Sequence, residues 1–151
     1  MPACYLDTSA VLKRYVNEAR SADFESFVLA DAFDFVMSPL VVTEIAGALQ
    51  RRVRVGDITS RYAEAARQRF HDDLIGGGWQ LLDFDPATFS RAATLVATLA
   101  SPLSTLDALH LTSAAHAEVA ALATADRQLA AAARKMRLRV FPFFREANRH
   151  A

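Results

Sequence analysis

Short apolar runs alternate with longer stretches of helical periodicity along this sequence. An apolar run of about four to eight residues predicts a buried strand, and apolar residues three and four positions apart predict an amphipathic helix. Their alternation predicts a three-layer α/β/α fold, in which helices cover both faces of a five-stranded, mostly parallel sheet. The predicted strands are residues 3–6, 34–37, 79–84, 119–124 and 138–143, and a polar tail follows them.

The clearest helical pattern follows Asp85 and Pro86, where apolar residues recur at helical spacing. A stripe of this kind is typical of a helix face buried against the core. A second helix is predicted from Ser104 to about Glu118, but no glycine separates it from the strand at 119–124, so this boundary stays open. The stripe consists of Phe89, Ala92, Ala93, Val96 and Leu99.

Length and composition favour one globular domain spanning residues 1–151. Apolar residues make up 52% of the chain and charged residues 23%, which is ordinary for a globular protein. No apolar run reaches the roughly 18 residues of a membrane span, and the N-terminus lacks the pattern of a signal peptide. The single cysteine, Cys4, lies in the first predicted strand, so we expect a small core residue and a cytoplasmic protein.

The charge balance gives no overall signature of a nucleic-acid binder, because 17 basic residues face 17 acidic ones. Basic residues do cluster at 51–54, 61–69 and 134–139, and taken alone these clusters are interpreted as solvated helix faces. Arg127, next to Asp126, is the basic residue that we most suspect of contacting phosphate.

Four acidic residues occupy unusual positions. Asp7 ends the first apolar strand, and Glu44 lies close to the apolar face of the helix that follows the second strand. Asp107 falls in the first turn of the Ser104 helix, and Asp126 follows the fourth strand. Because the carboxyl ends of parallel strands share one edge of a sheet, these four side chains are able to meet there.

Each acid also has a purely structural interpretation. Asp7 and Asp126 are plausible N-caps, Glu44 is an ordinary helix-surface acid, and Ser104 to Asp107 has the spacing of a capping box. For any one of them alone the structural role is favoured, whereas the four together favour a shared site.

A shared site of four carboxylates requires a positive charge, since buried like charges raise each other's pKa and destabilise the fold. No Lys or Arg flanks Asp7 or Asp107 in sequence. A hard divalent cation with oxygen ligands, Mg²⁺ or Mn²⁺, would meet this need. Hydroxyls at Thr8, Ser9 and Thr124 lie beside the acids, and the pattern indicates metal-assisted hydrolysis of a phosphate ester.

The four acidic stretches resemble the motifs of PIN-domain ribonucleases, and most closely those of VapC-type toxins. The resemblance implies a sheet of order 3-2-1-4-5 and a Mg²⁺- or Mn²⁺-dependent endoribonuclease that forms a homodimer and is inhibited by a VapB-type antitoxin. It also implies that Asp7, Glu44, Asp107 and Asp126 are catalytic metal ligands and that Thr124 assists them. The stretches are Tyr5–Ala10, Val42–Ile45, Leu106–Leu111 and Ala123–Asp126.

Two other functions stay open: a PIN-like module that binds RNA or protein without cutting it, and a metal-dependent DNA nuclease. His110 follows Asp107 by three positions and lies on the same side of its helix, so it is a minor candidate for a ligand or general base. A packed helix residue is the favoured interpretation of His110.

Overall fold

The computed structural model describes residues 1–145, and the predicted polar tail lies largely outside these described residues. The strands are β1 (Ala3–Leu6), β2 (Asp34–Met37), β3 (Gln80–Leu81), β4 (Ala121–Thr124) and β5 (Arg139–Pro142). The helices are α1 (Thr8–Tyr15), α2 (Ser21–Leu29), α3 (Leu40–Arg54), α4 (Ser60–Ile75), α5 (Ala87–Thr98), α6 (Thr105–His116) and α7 (Arg127–Lys135). None of these helices is long and apolar enough to span a membrane.

The five strands form one sheet in the order β3-β2-β1-β4-β5, and all four strand pairs are parallel. The predicted fold class and strand order are therefore confirmed. The central strand β1 pairs Cys4 with Phe35 on β2 and with Ala121 on β4. The site motif that follows β1 thus begins in the middle of the sheet.

The sheet is buried on both faces because alternate residues of β1 enter different cores. Cys4 and Leu6 pack into a cluster with α1 to α4, which also holds Phe24 and Ile45. Tyr5 packs into a second cluster on the opposite face, together with residues of α6 and α7. Cys4 is a buried free thiol, as expected of a small core residue.

The third strand is much shorter than predicted. Only Gln80 and Leu81 pair as β3, although Trp79 is buried beside them and the Leu82 amide still donates to the Met37 carbonyl. After Leu82 the chain leaves the sheet, and Phe84 packs edge-to-face against Phe89 at a centroid distance of 5.3 Å. The apolar run at 79–84 therefore divides its residues between the short strand β3 and a contact of Phe84 with α5.

The helix predicted after Asp85 and Pro86 is confirmed as α5, but its apolar stripe is largely exposed. Ala92 is buried, but the exposed fractions of Phe89 and Val96 are 57% and 44%. Together with residues of α6 they line an open, mainly apolar cleft of about 180 Å³. Within residues 1–145, no element covers the exposed part of this stripe.

The boundary between α6 and β4 depends on a left-handed residue that is not glycine. Glu118 has a φ of 53° and directs the chain from the end of α6 toward β4. A side chain in this conformation is strained, which is why glycine is the usual residue there. The sequence offered no glycine to mark the turn.

Candidate metal and phosphate site at the carboxyl ends of β1 and β4

Asp7 lies directly after β1 and is the N-cap of α1, where its Oδ1 accepts a hydrogen bond from the Ala10 amide at 3.0 Å. Its carboxylate also accepts from the Ser9 hydroxyl at 2.8 and 2.9 Å and from the Thr124 hydroxyl at 2.9 Å. Burial raises the pKa of Asp7 to about 6, although the charge of His110 and these donors oppose the rise. Asp7 is therefore both a structural cap and a buried acid with a perturbed pKa.

Two backbone amides orient the hydroxyls that face Asp7. The Ala125 amide donates to Ser9 Oγ at 2.8 Å, and the Asp126 amide donates to Thr124 Oγ1 at 2.9 Å. Because each hydroxyl oxygen accepts a hydrogen bond from a backbone amide, its own proton is available to the Asp7 carboxylate. The hydroxyls that the sequence placed beside the acids thus form a bridge between β1 and β4.

Glu44 lies on α3 and is held from two sides through the same oxygen. Its Oε1 accepts from Thr8 Oγ1 at 3.0 Å and lies 2.6 Å from His110 Nε2. Burial alone would raise the pKa of Glu44, but the hydrogen bond and charge of His110 outweigh it, so this pKa is lowered. Glu44 is thus kept ionised by its partners.

His110 is the residue that sequence reasoning undervalued. It is buried on α6, its Nδ1 lies 2.6 Å from the Tyr5 hydroxyl, and its ring meets that of Tyr5 edge-to-face. Burial alone would lower the pKa of His110, but Glu44 first, and then Asp7 and Asp107, raise it above its usual value. The raised pKa favours the protonated form of His110, whose charge acts on Glu44, Asp7 and Asp107. Its position three residues after Asp107 was the one signal of this role.

Asp107 and Asp126 are both half-buried, and the charge of Asp126 acts on the Asp107 carboxyl. Burial raises the pKa of Asp107, and the negative charge of Asp126 raises it further. Asp126 Oδ1 caps α7 by accepting from the Gln128 and Leu129 amides, and Ser104 caps α6 by accepting from the Asp107 amide. Asp126 therefore caps a helix, as the structural interpretation predicts, and also acts electrostatically on Asp107.

The described residues do not arrange three Asp, Glu, His or Cys side chains as a ready-made metal cage. Instead, the carboxylate oxygens of Asp7 accept hydrogen bonds from hydroxyls, and one oxygen of Glu44 is hydrogen-bonded to the His110 imidazole. Mg²⁺ nevertheless fits this donor set, because it prefers carboxylate oxygens and commonly keeps several waters while binding through one or two carboxylates. Burial and then the negative charge of Asp126 raise the pKa of Asp107, and a divalent cation relieves repulsion of this kind.

Two arginines lie where they bear on this site. Arg51 is exposed on α3, its charge lowers the pKa of Glu44, and its guanidinium passes over Gly47, where an added Cβ would be 3.5 Å from a terminal nitrogen. Arg127 stacks its guanidinium over the Phe144 ring at 4.3 Å. The contact of Arg127 with phosphate stays a prediction, and Arg51 joins it as a second basic residue near the acids.

Comparison with known proteins matches residues 4–135 to the model of the PIN domain. Among solved structures, the chain is similar to the Mycobacterium tuberculosis VapC20, a sarcin–ricin loop cleaving toxin. Their TM-score is 0.68 and their sequence identity 17%, over 85% of this chain and 94% of that one. It is also similar to VapBC2 from Rickettsia felis bound to a DNA fragment from their promoter (TM-score 0.65, 13% identity, 93% and 98% covered).

FitAcB from Neisseria gonorrhoeae is a third similar structure, with a TM-score of 0.64 and 16% identity over 91% of this chain and 96% of that one. At such identities these likenesses concern the fold. No curated protein matches the sequence. Because the family match extends over most of the chain and includes all four acids, the chain belongs to the PIN domain family.

Proposed function

We propose that the protein is a divalent-metal-dependent endoribonuclease and the toxin of a VapBC-type pair, formed by one PIN domain. The observation that carries this proposal is the buried Asp7 at the carboxyl end of β1, whose pKa is raised to about 6. The negative charges of Glu44, Asp7 and Asp107 all raise the pKa of His110, so these groups act on one another. Perturbed acids converging at the edge of a parallel sheet are typical of a catalytic site.

In this proposal Asp7, Glu44, Asp107 and Asp126 hold Mg²⁺ or Mn²⁺. The bound ion supplies a water of lowered pKa and neutralises charge on the phosphodiester. Thr124 and Ser9 fix the Asp7 carboxylate through their hydroxyls, and Thr8 and His110 fix Glu44. The N-terminal amides of α1, α6 and α7 favour an anionic ligand beside these side chains.

The partners follow from the same proposal. We infer an RNA substrate and a VapB-type antitoxin, supported by neighbours that include a toxin which cleaves the sarcin–ricin loop and a VapBC2 complex. A homodimer is supported by the exposed stripe of α5, where no other part of the described residues covers Phe89 and Val96. The buried free thiol of Cys4 is compatible with the reducing cytoplasm that we propose as the location.

A non-catalytic PIN-like module that binds RNA or protein is the second candidate, and one observation favours it. When it is protonated, His110 offsets part of the repulsion between Glu44 and Asp107 without a metal ion. The candidate predicts RNA or protein binding with no metal-dependent cleavage.

The test measures cleavage and metal binding in the same three proteins: wild type, Asp7→Asn and the surface control Asp72→Asn. Each is incubated with total bacterial RNA and with matched RNA and DNA oligonucleotides in Mn²⁺, and new 5′ ends are mapped. Calorimetric titration of Mn²⁺ follows in low salt. We expect RNA cleavage and Mn²⁺ binding in wild type and control, with both lost in Asp7→Asn.

Retained cleavage in Asp7→Asn, or equal Mn²⁺ binding in all three proteins, would overturn the assigned site. Absence of both activities in a folded wild type would favour the non-catalytic module. Equal cleavage of RNA and DNA would replace the ribonuclease by a general metal-dependent nuclease.

A further inference from the structure

We propose that His110 is a positioning residue that holds Glu44 Oε1, together with Thr8, and so leaves Oε2 as the oxygen available to a metal ion. The inference rests on the proposed function for its catalytic consequence, but its geometric part concerns the metal-free protein. It assigns a task to a histidine that the four-acid motif does not include.

The hydrogen bonds to Glu44 converge on one oxygen. Thr8 Oγ1 and His110 Nε2 both contact Oε1, at 3.0 and 2.6 Å, and within residues 1–145 no hydrogen bond to Oε2 is found. A carboxylate held through one oxygen by two donors from different helices cannot rotate freely about its terminal bond. Its second oxygen is thereby given a fixed direction.

The ring of His110 is held in turn by Tyr5. The Ser38 amide donates to the Tyr5 hydroxyl at 3.3 Å, so the hydroxyl proton is free to point at His110 Nδ1, 2.6 Å away. Whether the imidazole is neutral or charged, Nε2 then carries the proton that is donated to Glu44.

Three elements meet in this chain of contacts, because Tyr5 lies on β1, Glu44 on α3 and His110 on α6. The exposed fraction of the His110 side chain is 2%, whereas that of Glu44 is 23%. The histidine is thus enclosed while the carboxylate reaches the surface of the site. Partners of this kind, which orient a metal ligand without touching the ion, commonly change metal affinity or activity by about 10–100-fold when they are removed.

Two variants of His110 separate positioning from packing. The amide nitrogen of His110→Gln reaches the place of Nε2 and retains a donor to Glu44, whereas that of His110→Asn falls near Nδ1 and loses it. Both are expected to lower stability, and His110→Asn leaves the larger void because its side chain is one methylene shorter. We expect His110→Asn to weaken Mn²⁺ binding and lower kcat by about 10-fold or more, with little change in KM for RNA, and His110→Gln to stay within about 3-fold of wild type.

Nuclear magnetic resonance of the metal-free wild type supplies a readout that needs neither metal nor RNA. We expect a slowly exchanging Nε2–H proton of His110 that shifts in Glu44→Gln. An Nδ1–H tautomer without Nε2–H would overturn the proposal, even if His110→Asn fails to fold.

Equal losses of Mn²⁺ affinity in the Asn and Gln variants, following their losses of stability, would also overturn the positioning role while leaving the nuclease proposal intact. A folded wild type that shows the expected Nε2–H proton but neither binds Mn²⁺ nor cleaves RNA would instead overturn the proposed function. In that case the histidine would be a structural partner of Glu44 alone, and the catalytic part of the inference would fall with it.

Discussion

Asp7 and Glu44 lie in the same site, yet the protein stabilises their charges in opposite ways. Asp7 is surrounded by hydroxyl and amide donors in a buried position, and its pKa rises to about 6. Glu44 lies closer to solvent beside His110, and its pKa falls. The hydroxyl and amide donors of Asp7, together with the more distant charge of His110, do not offset its burial, whereas the direct hydrogen bond and charge of His110 outweigh the burial of Glu44.

The difference shows which half of the site is strained in the absence of metal. An ionised Asp7 makes the folded state less stable, so a bound cation would release that cost. Glu44 is already satisfied by His110, so a metal ion gains less there. The two carboxylates are therefore expected to respond to mutation with opposite signs.

The largest expected effect is a relative stability gain in Asp7→Asn as the pH rises. A carboxyl whose pKa rises from 3.8 to about 6 on folding disfavours the ionised folded state by about 2–3 kcal/mol. That cost is absent below pH 4, grows between pH 4 and 6, and is complete above pH 6. Asn keeps the N-cap but its amide nitrogen cannot accept from the hydroxyls, and this loss does not depend on pH. Urea unfolding of the metal-free variant, relative to wild type, should therefore improve by about 2 kcal/mol between pH 4 and pH 8. A difference that stays the same at both pH values would show that Asp7 is not strained.

The Thr124→Val variant should lower the free energy of unfolding by about 1.5 kcal/mol at pH 7. It removes the donor to Asp7 and leaves the Asp126 amide without its acceptor. Thermal unfolding would be compared with Thr98→Val, whose hydroxyl is exposed on α5 and should change stability by less than about 0.5 kcal/mol. Similar losses in the two variants would contradict the bridging role of Thr124.

The Glu44→Gln variant should lose about 1 kcal/mol near pH 6, the opposite sign to Asp7→Asn. The pKa of Glu44 is lowered and that of His110 raised, so the pair contributes fully between about pH 4.5 and 6.5. Its contribution should fade as Glu44 is protonated in acid and as His110 loses its proton in base. Glu64→Gln on the exposed face of α4 is the control, and a pH-independent difference between the two would contradict the pairing.

The smallest expected effect concerns Arg51, which faces Glu44 from the same helix. If RNA phosphate binds beside the acids, Arg51→Ala should raise KM for RNA about 3–5-fold at low salt and reduce the salt dependence of binding, with kcat unchanged. Arg54→Ala, an exposed residue one turn further along α3, should change KM less. Identical effects of the two would place the contact elsewhere.

Local patterns predicted much of the fold, because buried strands and capped helices leave their signals within a few residues. The hydroxyls at Ser9 and Thr124 were placed beside the acids for the same reason, since they adjoin the ends of β1 and β4. The contact between His110 and Glu44 left no such signal, because 66 positions separate the two residues. Only the packing of α6 against α3 and β1 creates it.

Packing also explains two features that the local sequence did not predict. The apolar run at 79–84 predicts a long strand, but Phe84 packs against Phe89 of α5 and does not continue the sheet. The stripe of α5 predicts burial, but periodicity does not say whether the covering surface belongs to the same chain. Glu118 adopts a left-handed conformation that glycine adopts most easily, so the sequence around it does not predict the turn.

Trp79 is the only tryptophan of the chain, and its indole NH donates to the Tyr15 hydroxyl at 2.6 Å. That hydroxyl in turn donates to Asp73, so the indole lies where β3, α1 and α4 meet. Its emission therefore reports whether this junction remains dry and packed, separately from the hydroxyl and imidazole contacts of the four acids. Intrinsic fluorescence offers one label-free signal by which every variant above is checked for a folded scaffold before its chemistry is compared.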